Sequence, residues 1–239
     1  MVTLAVVRVA AVSDIHSPLG IELFRKAMEE ISNCDIFLLA GDLVERNDWR
    51  SLPPVIEAIR SRHRGEILAC FGNEEYDDHW EIFRGFKDIR WINDDAVELE
   101  IAGVRVGVVI SRGSLDRPTF WQRTHIPNIS KIYEDRVGKI DSLLSSLASE
   151  IKMVVTHYSP TYQTLEGEKR RVFEEMGCRK MEEVIKRRQP DAWFHGHAHN
   201  STRLKAMMGK TAIFNVSLPA TGRVTVVDLP MKVGLEQFF

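Results

Sequence analysis

Histidines alternate along Phe194-His195-Gly196-His197-Ala198-His199, directly after the apolar run Ala192-Trp193-Phe194. A neutral imidazole is available near pH 7 and is the commonest metal ligand. His197 and His199 are two residues apart, so on extended backbone both project to one side. There they could reach one ion or two adjacent ones; a histidine-rich surface turn carries the same letters. Other oxygen and nitrogen donors also follow apolar runs: Asp14 and His16, Asp42, Asn73 and His157. Each has an ordinary explanation. Asp14-x-His16 and Gly41-Asp42 could be turns, Gly72-Asn73 a left-handed cap, and His157 a satisfied core histidine. Their common placement is the argument for one shared site.

The elements that must position these donors follow from hydrophobic period and turn chemistry. Leu4–Val12, Asp35–Ala40 and Glu66–Phe71 read as strands, each ending at a donor. Gly20–Ser32, Ser51–His63 and Glu74–Lys87 read as the intervening helices, with Pro53 and Pro54 suited to a first turn. Ala96–Ile101 and Val104–Ile110 form a hairpin around Ala102-Gly103. Ser111–Tyr133 has little periodicity and reads as a long loop, a kind often functional. Glu134–Glu150 is a helix, Ile151–Thr156 a strand ending at His157, and Glu168–Arg188 a helix broken near Gly177. Asp191–Phe194 is the strand before the histidines. Arg203–Met208, Thr211–Val216 and Val224–Leu229 read as consecutive antiparallel strands. In open α/β sheets ligands collect at the carboxyl ends of strands, so five strand ends can converge on one site.

The chain has 239 residues, 44% of them hydrophobic, enough for a sizeable core. Without repeats, low-complexity tracts or linkers, residues 1–239 read as a single domain. A formal net charge of −2 gives no polyanion-binding signature, so nucleic acid is not a favoured partner. Cys34, Cys70 and Cys178 lie far apart and form no zinc-type pair, which fits reduced thiols. The apolar N-terminus lacks a basic leader and runs straight into Ser13-Asp14, so it reads as a strand rather than a signal peptide. No apolar run spans a bilayer. The expected location is the cytoplasm.

Asp14-x-His16, Gly41-Asp42-x-x-x-Arg46, Gly72-Asn73, Thr156-His157 and Gly196-His197-Ala198-His199 together resemble the signature of the calcineurin-like metallophosphoesterase superfamily. The match runs from about residue 12 to 199. The resemblance implies a mixed α/β fold, a four-layer αββα sandwich around two β-sheets. It implies two divalent metal ions. Asp14, His16, Asp42 and His199 would hold the first; Asp42 would bridge to the second, which would also take Asn73, His157 and His197. Oxygen and imidazole donors without thiolates suit manganese, with iron, zinc or magnesium as alternatives. The implied reaction is hydrolysis of phosphomonoesters or phosphodiesters by a metal-bridging hydroxide. Asp42, Asn73, Glu74 and Arg46 are the candidate catalytic residues.

The sequence departs from the family at Glu74, where the common motif has a histidine after Gly-Asn. That histidine helps stabilise the transition state or protonate the leaving group. Here either Glu74 is held partly protonated beside the phosphate or the acid comes from elsewhere; alternatively Glu74 only starts the next helix, where acids favour the dipole. Arg46 could contact phosphate or pair with a nearby carboxylate. His195 is expected to orient a ligand or carboxylate, and Tyr158 to be a packed tyrosine. Arg112, Arg117, Phe120, Trp121, Arg123 and His125 in the long loop could cover the phosphate and stack on a flat leaving group, form an oligomer contact, or be merely exposed. The expected partner is a small phosphate ester, nucleotides included, with no membrane. A non-catalytic interaction scaffold on the same fold and a nuclease are the alternatives. A degenerate scaffold should have lost ligands, and every ligand position is filled.

Overall fold

A computed structural model of the chain describes residues 6–231. The start of the expected first strand, Leu4 and Ala5, lies outside them. In chain order the elements are β1 (Val7–Val12), α1 (Ile21–Glu29), β2 (Ile36–Ala40), α2 (Pro53–Arg60), β3 (Glu66–Cys70), α3 (Trp80–Arg84), β4 (Arg90–Trp91), β5 (Asp95–Ile101) and β6 (Val104–Ser111). There follow α4 (Phe120–His125), α5 (Ile129–Ser146), β7 (Ile151–Thr156), α6 (Lys180–Arg188), β8 (Ala192–His195), β9 (Lys205–Met208), β10 (Thr211–Asn215), α7 (Leu218–Thr221) and β11 (Thr225–Leu229).

Two sheets form. One has the order β11-β1-β2-β3-β4, the other β5-β6-β7-β8-β10-β9. The period-2 alternation of each strand decides which layer a side chain enters. Val9 and Ala11 of β1 pack with Leu38, Val108, Val155 and Phe194 between the sheets. Ala10 and Val12 instead face Phe24 and Met28 of α1 and Val55 and Ile59 of α2. On the far side, Val154, Trp193 and Ile213 meet Ile140 and Leu144 of α5 and Val184 and Ile185 of α6. The result is helix, sheet, sheet, helix, the expected αββα sandwich. Each valine, leucine or isoleucine enclosed this way contributes roughly 1.5–3 kcal/mol.

Four expectations need correction. Residues 74–76 are not helical: the helix begins only after a 3-10 turn at Asp77–His79. Their polar groups are taken by tertiary bonds instead, with the Glu74 N–H donating to the Asp42 carboxylate at 2.8 Å. Residues 111–133 are not a plain loop. They contain α4 and the first turn of α5, and α4 starts with a capping box in which Gln122 N–H donates to Thr119 Oγ1 and Thr119 N–H to Gln122 Oε1. The expected helix at 168–188 is a 3-10 segment at Arg170–Glu175 and then α6. The break falls near Gly177, where a β-carbon would press on the Ser159 carbonyl. Finally, β11 does not extend the β9–β10 pair. It crosses to the other sheet and runs antiparallel to β1. The crossing is stitched by Ser13 N–H to the Val216 carbonyl at 3.1 Å and Leu218 N–H to the Ser13 carbonyl at 3.0 Å.

Candidate metal centre

The carboxyl ends of β1, β2, β3, β7 and β8 meet at one place. Beyond β1 the chain turns through Ser13-Asp14-Ile15-His16, and beyond β2 through Gly41-Asp42. The two turns are laced together: Asp14 N–H donates to the Gly41 carbonyl and His16 N–H to the Asp42 carbonyl, both at 3.0 Å. Asp14 (φ 56°), His16 (φ 46°), Asp42 (φ 53°) and His197 (φ 68°) all sit in the left-handed region. Non-glycine residues there are uncommon and costly, and cluster where function requires them. Two glycines are fixed by close approach. A β-carbon on Gly72 would collide with Asp42 Oδ1, and one on Gly196 with Ser13 Oγ.

All of the expected ligand residues come together. Donor atoms of Asp14, His16 and His199 lie within 4.8 Å of one another, and so do those of Asp42, His157 and His197. Asp42 Oδ2 stands between the two groups, 3.9 Å from His16 Nε2 and 3.4 Å from His157 Nε2. Asn73 Oδ1 is 3.0 Å from His157 Nε2, which places Asn73 with the second group. His199 Nε2 is 3.1 Å from Asp14 Oδ1.

The arrangement fits divalent cations. Both ring nitrogens of His16 are buried without a hydrogen-bond partner; Nδ1 only approaches Glu45 Oε2 at 3.3 Å. Unmade bonds of this kind are rare, and a bound ion would complete them. The donors are oxygen and imidazole, with no thiolate among them, as manganese, iron, zinc or magnesium accept. The electrostatics agree. Burial raises the Asp14 and Asp42 carboxyls, but the neighbouring histidines outweigh it and hold both below the usual range. Burial opposes a charge on His157, yet Asp42 pushes its imidazole up to about 9. Burial, then the His157 charge, push His197 down to about 3. The protein's own groups thus gather negative charge at Asp14 and Asp42 and answer it with a proton on His157.

Several residues support this centre in ways the sequence did not suggest. Glu75 is fully buried and accepts N–H groups from Asp42 at 2.9 Å, Leu43 at 2.7 Å and Gly72 at 2.7 Å. Burial, then the Asp42 charge, push its carboxyl up to about 7. Ser13 Oγ–H donates to Asp14 Oδ2 at 2.6 Å. Arg112 donates to the Glu75 carbonyl at 2.8 Å and pairs with Asp77 at 2.8 Å. Glu75 carried only the weak signal of an acid after a strand-end Gly-Asn and Ser13 carried none; Arg112 was a candidate for covering the phosphate and instead braces the Glu75 backbone.

The remaining candidates fall into place differently. The Glu74 carboxylate accepts the Arg46 N–H at 2.8 Å. The Arg46 guanidinium is 84% exposed and lies beside Glu45 at 3.4 Å, the carboxylate-pairing alternative. His195 does not orient a ligand or carboxylate. Its Nδ1–H donates to the Gly196 carbonyl at 2.9 Å and its Nε2 accepts Thr164 Oγ1–H at 2.8 Å. Tyr158 is buried, as expected, with its ring 5.0 Å from that of His197. Arg117 pairs with Glu174 and Glu175. Phe120 and Trp121 are 75% and 60% exposed. His63 serves elsewhere, between the Glu66 carbonyl and Cys34.

Comparison with known proteins bears on the whole of this. No curated protein sequence matches the chain. Among solved structures, the phosphopantetheinyl hydrolase of Mycobacterium tuberculosis aligns with a TM-score of 0.70 at 15% identity, over 94% of this chain and 96% of that one. The Thermus thermophilus protein TT1561 aligns with a TM-score of 0.59 at 14% identity, over 93% and 99%. A putative 5'-nucleotidase from Staphylococcus aureus aligns with a TM-score of 0.59 at 16% identity, over 94% of this chain but 50% of that one. These likenesses are of fold. The family model for calcineurin-like phosphoesterases matches residues 7–201, most of the chain and every donor described above, and the chain belongs to the calcineurin-like phosphoesterase family.

Proposed function

We propose that residues 1–239 form a single-domain phosphoesterase that hydrolyses small phosphate esters with two divalent ions. The observation that carries this reading is the position of Asp42 between two filled donor groups. Asp14, His16, Asp42 and His199 would hold one ion; Asp42, Asn73, His157 and His197 the other. When bound, such a pair supplies Lewis acidity to phosphate oxygens and makes water nucleophilic at neutral pH. The chain's own part is preorganisation. Left-handed turns aim Asp14, His16 and Asp42 inward, and Glu75 fixes the Asp42 turn from below. The His157 Nδ1–H donates to the Ala40 carbonyl at 2.9 Å, which fixes the ring and leaves Nε2 toward the centre. We place Asp42 and Asn73 at the reacting phosphate, with Glu74 and Arg46 at the rim. The names of two neighbours in fold, a phosphopantetheinyl hydrolase and a putative 5'-nucleotidase, support an organic phosphate ester as substrate.

We infer manganese as the working metal from the mixed oxygen and imidazole donors, and a cytoplasmic setting. No helix among the described residues is long and apolar enough to cross a membrane.

The test is metal analysis of the purified protein, then chelation and an assay on phosphate esters with added manganese. Loss of hydrolysis on chelation and its return with manganese is the expected result. Inactivity on every ester with both ions bound, alongside a tight protein partner, would instead identify a scaffold.

A further inference from the structure

We propose that Glu74 makes this centre selective for phosphodiesters over phosphomonoesters. The inference rests on the phosphoesterase reading and adds the class of substrate.

The Glu74 side chain is held, not loose. Its N–H donates to Asp42 Oδ1 at 2.8 Å, and its Oε2 accepts the Arg46 N–H at 2.8 Å. Arg46 and Asn47 adopt left-handed backbone, with φ of 46° and 62°, and this turns the Arg46 amide toward the carboxylate. Oε1 lies 3.4 Å from Asn73 Nδ2. The Glu74 backbone is thereby anchored on Asp42, and its carboxylate is held between the Arg46 amide and Asn73 Nδ2, beside the centre and partly open to solvent.

Among the described residues, the guanidinium groups near it are engaged elsewhere. Glu45 adds a second carboxylate at the same rim, 3.3 Å from His16. The Arg46 guanidinium turns out into solvent beside Glu45. Arg112 is committed to the Glu75 carbonyl and to Asp77. Glu45 is paired with Arg46, but the carboxylates of Asp14, Asp42 and Glu74 would still offset most of the charge of two divalent ions before any substrate arrives. An incoming phosphate then meets a centre with little positive charge to spare.

Substrate charge decides what that centre accepts. A phosphomonoester carries about −1.5 to −2 at neutral pH, whereas a diester carries a single charge because its second oxygen is esterified. A phosphate held at Asn73 would bring the monoester's extra charge toward the Glu74 carboxylate, 3.4 Å from Asn73 Nδ2 and partly buried, where Coulomb repulsion is less screened than in bulk water. The diester lacks that charge and brings a neutral ester oxygen to the same side.

The experiment uses the full chain loaded with manganese, comparing wild type with E74Q and E74H. The substrates are 4-nitrophenyl phosphate and bis(4-nitrophenyl) phosphate, which share a leaving group. Wild type is expected to favour the diester in kcat/KM, and E74Q to lower the diester-to-monoester ratio about tenfold, the size of one screened charge contact. Calorimetric binding of phenylphosphonate and of its monomethyl ester, with metal content checked first, should show the same shift without turnover. A wild type that favours the monoester, or an E74Q ratio and phosphonate preference equal to wild type, overturns the inference while leaving the phosphoesterase reading intact. Absence of hydrolysis of both esters overturns the phosphoesterase reading, and the phosphonate pair then decides the selectivity on its own.

Discussion

Glu75 lies directly beneath Asp42: its fully buried carboxylate accepts the Asp42 N–H at 2.9 Å. The same carboxylate accepts N–H groups from Leu43 and Gly72, so one side chain sets the height of the β2 and β3 turns together. In Glu75→Gln the amide NH2 must face at least one of these donors, leaving a buried N–H unpaired at a cost of about 1–3 kcal/mol. Outer partners of metal ligands are worth about 10–100-fold in metal affinity. We expect a lower melting temperature and a metal affinity reduced by about that factor, read by calorimetry. Unchanged manganese binding in a folded Glu75→Gln protein would show that Asp42 needs no such support.

His195 predicts acid sensitivity. It is fully buried, and burial holds its imidazole down at about 4 against a normal 6.5. Between those values the unfolded chain binds the extra proton and the folded one does not. Stability is therefore fully present above about pH 6.5 and is lost as pH falls toward 4, by roughly 3 kcal/mol in all. Divalent ions beside it would push the same way. The acid limb of a denaturation-against-pH curve should be shallower in His195→Gln than in wild type. Parallel limbs would mean that His195 carries no share of the acid loss.

Much of the centre was legible because its donors follow apolar strands. Asp14, Asp42, Asn73, His157 and His197 each announce a strand end, and parallel strands deliver their ends to one edge. Glu75 was not legible: beside Glu74 it reads as another acid opening a helix, and only the tertiary bonds separate a rim carboxylate from a buried one. The α4 helix carried a readable sign, Thr119 and Gln122 at capping-box spacing, which the flanking Pro118 and Pro127 obscured. The crossing of β11 to the far sheet could not be read from alternation, which gives a strand its faces but not its neighbour. His195 shared the phase of His197, yet its hydrogen bonds run to Thr164 and to the adjoining carbonyl rather than to a ligand.

The exposed aromatics of α4 should act on substrate rather than on stability. Phe120 and Trp121 are open to solvent, and Trp121 stacks on His125 of its own helix, at 4.7 Å. The helix is tied toward the centre by Gln122 Nε2–H to Tyr158 OH at 3.3 Å, and Tyr158 packs on His197. Stacking of a flat group on such a ring is worth about 1–3 kcal/mol. Phe120→Ser and Trp121→Ser are expected to raise KM several-fold for esters with an aromatic arm and to leave the melting temperature within a degree or so. A fall in melting temperature without a change in KM would make α4 structural.

Metal uptake should release a proton from His157. Its Nδ1–H is committed to the Ala40 carbonyl, so the titrating nitrogen is Nε2, which faces Asn73 Oδ1 at 3.0 Å and Asp42 Oδ2 at 3.4 Å. The Asp42 charge outweighs burial and raises the imidazole to about 9, and a metal can take Nε2 only after that proton leaves. Two slopes of opposite sign follow. In chelated protein this interaction stabilises the fold fully below about pH 6.5 and is lost as pH rises through about 9. Apparent manganese affinity should instead strengthen by about tenfold per pH unit over the same range and level off above it. Calorimetric titrations in buffers of differing ionisation enthalpy would count the proton, and His157→Asn should abolish it. An affinity that is flat from pH 6.5 to 9 would show that His157 enters the site already neutral, and that Asp42 is balanced by some other group.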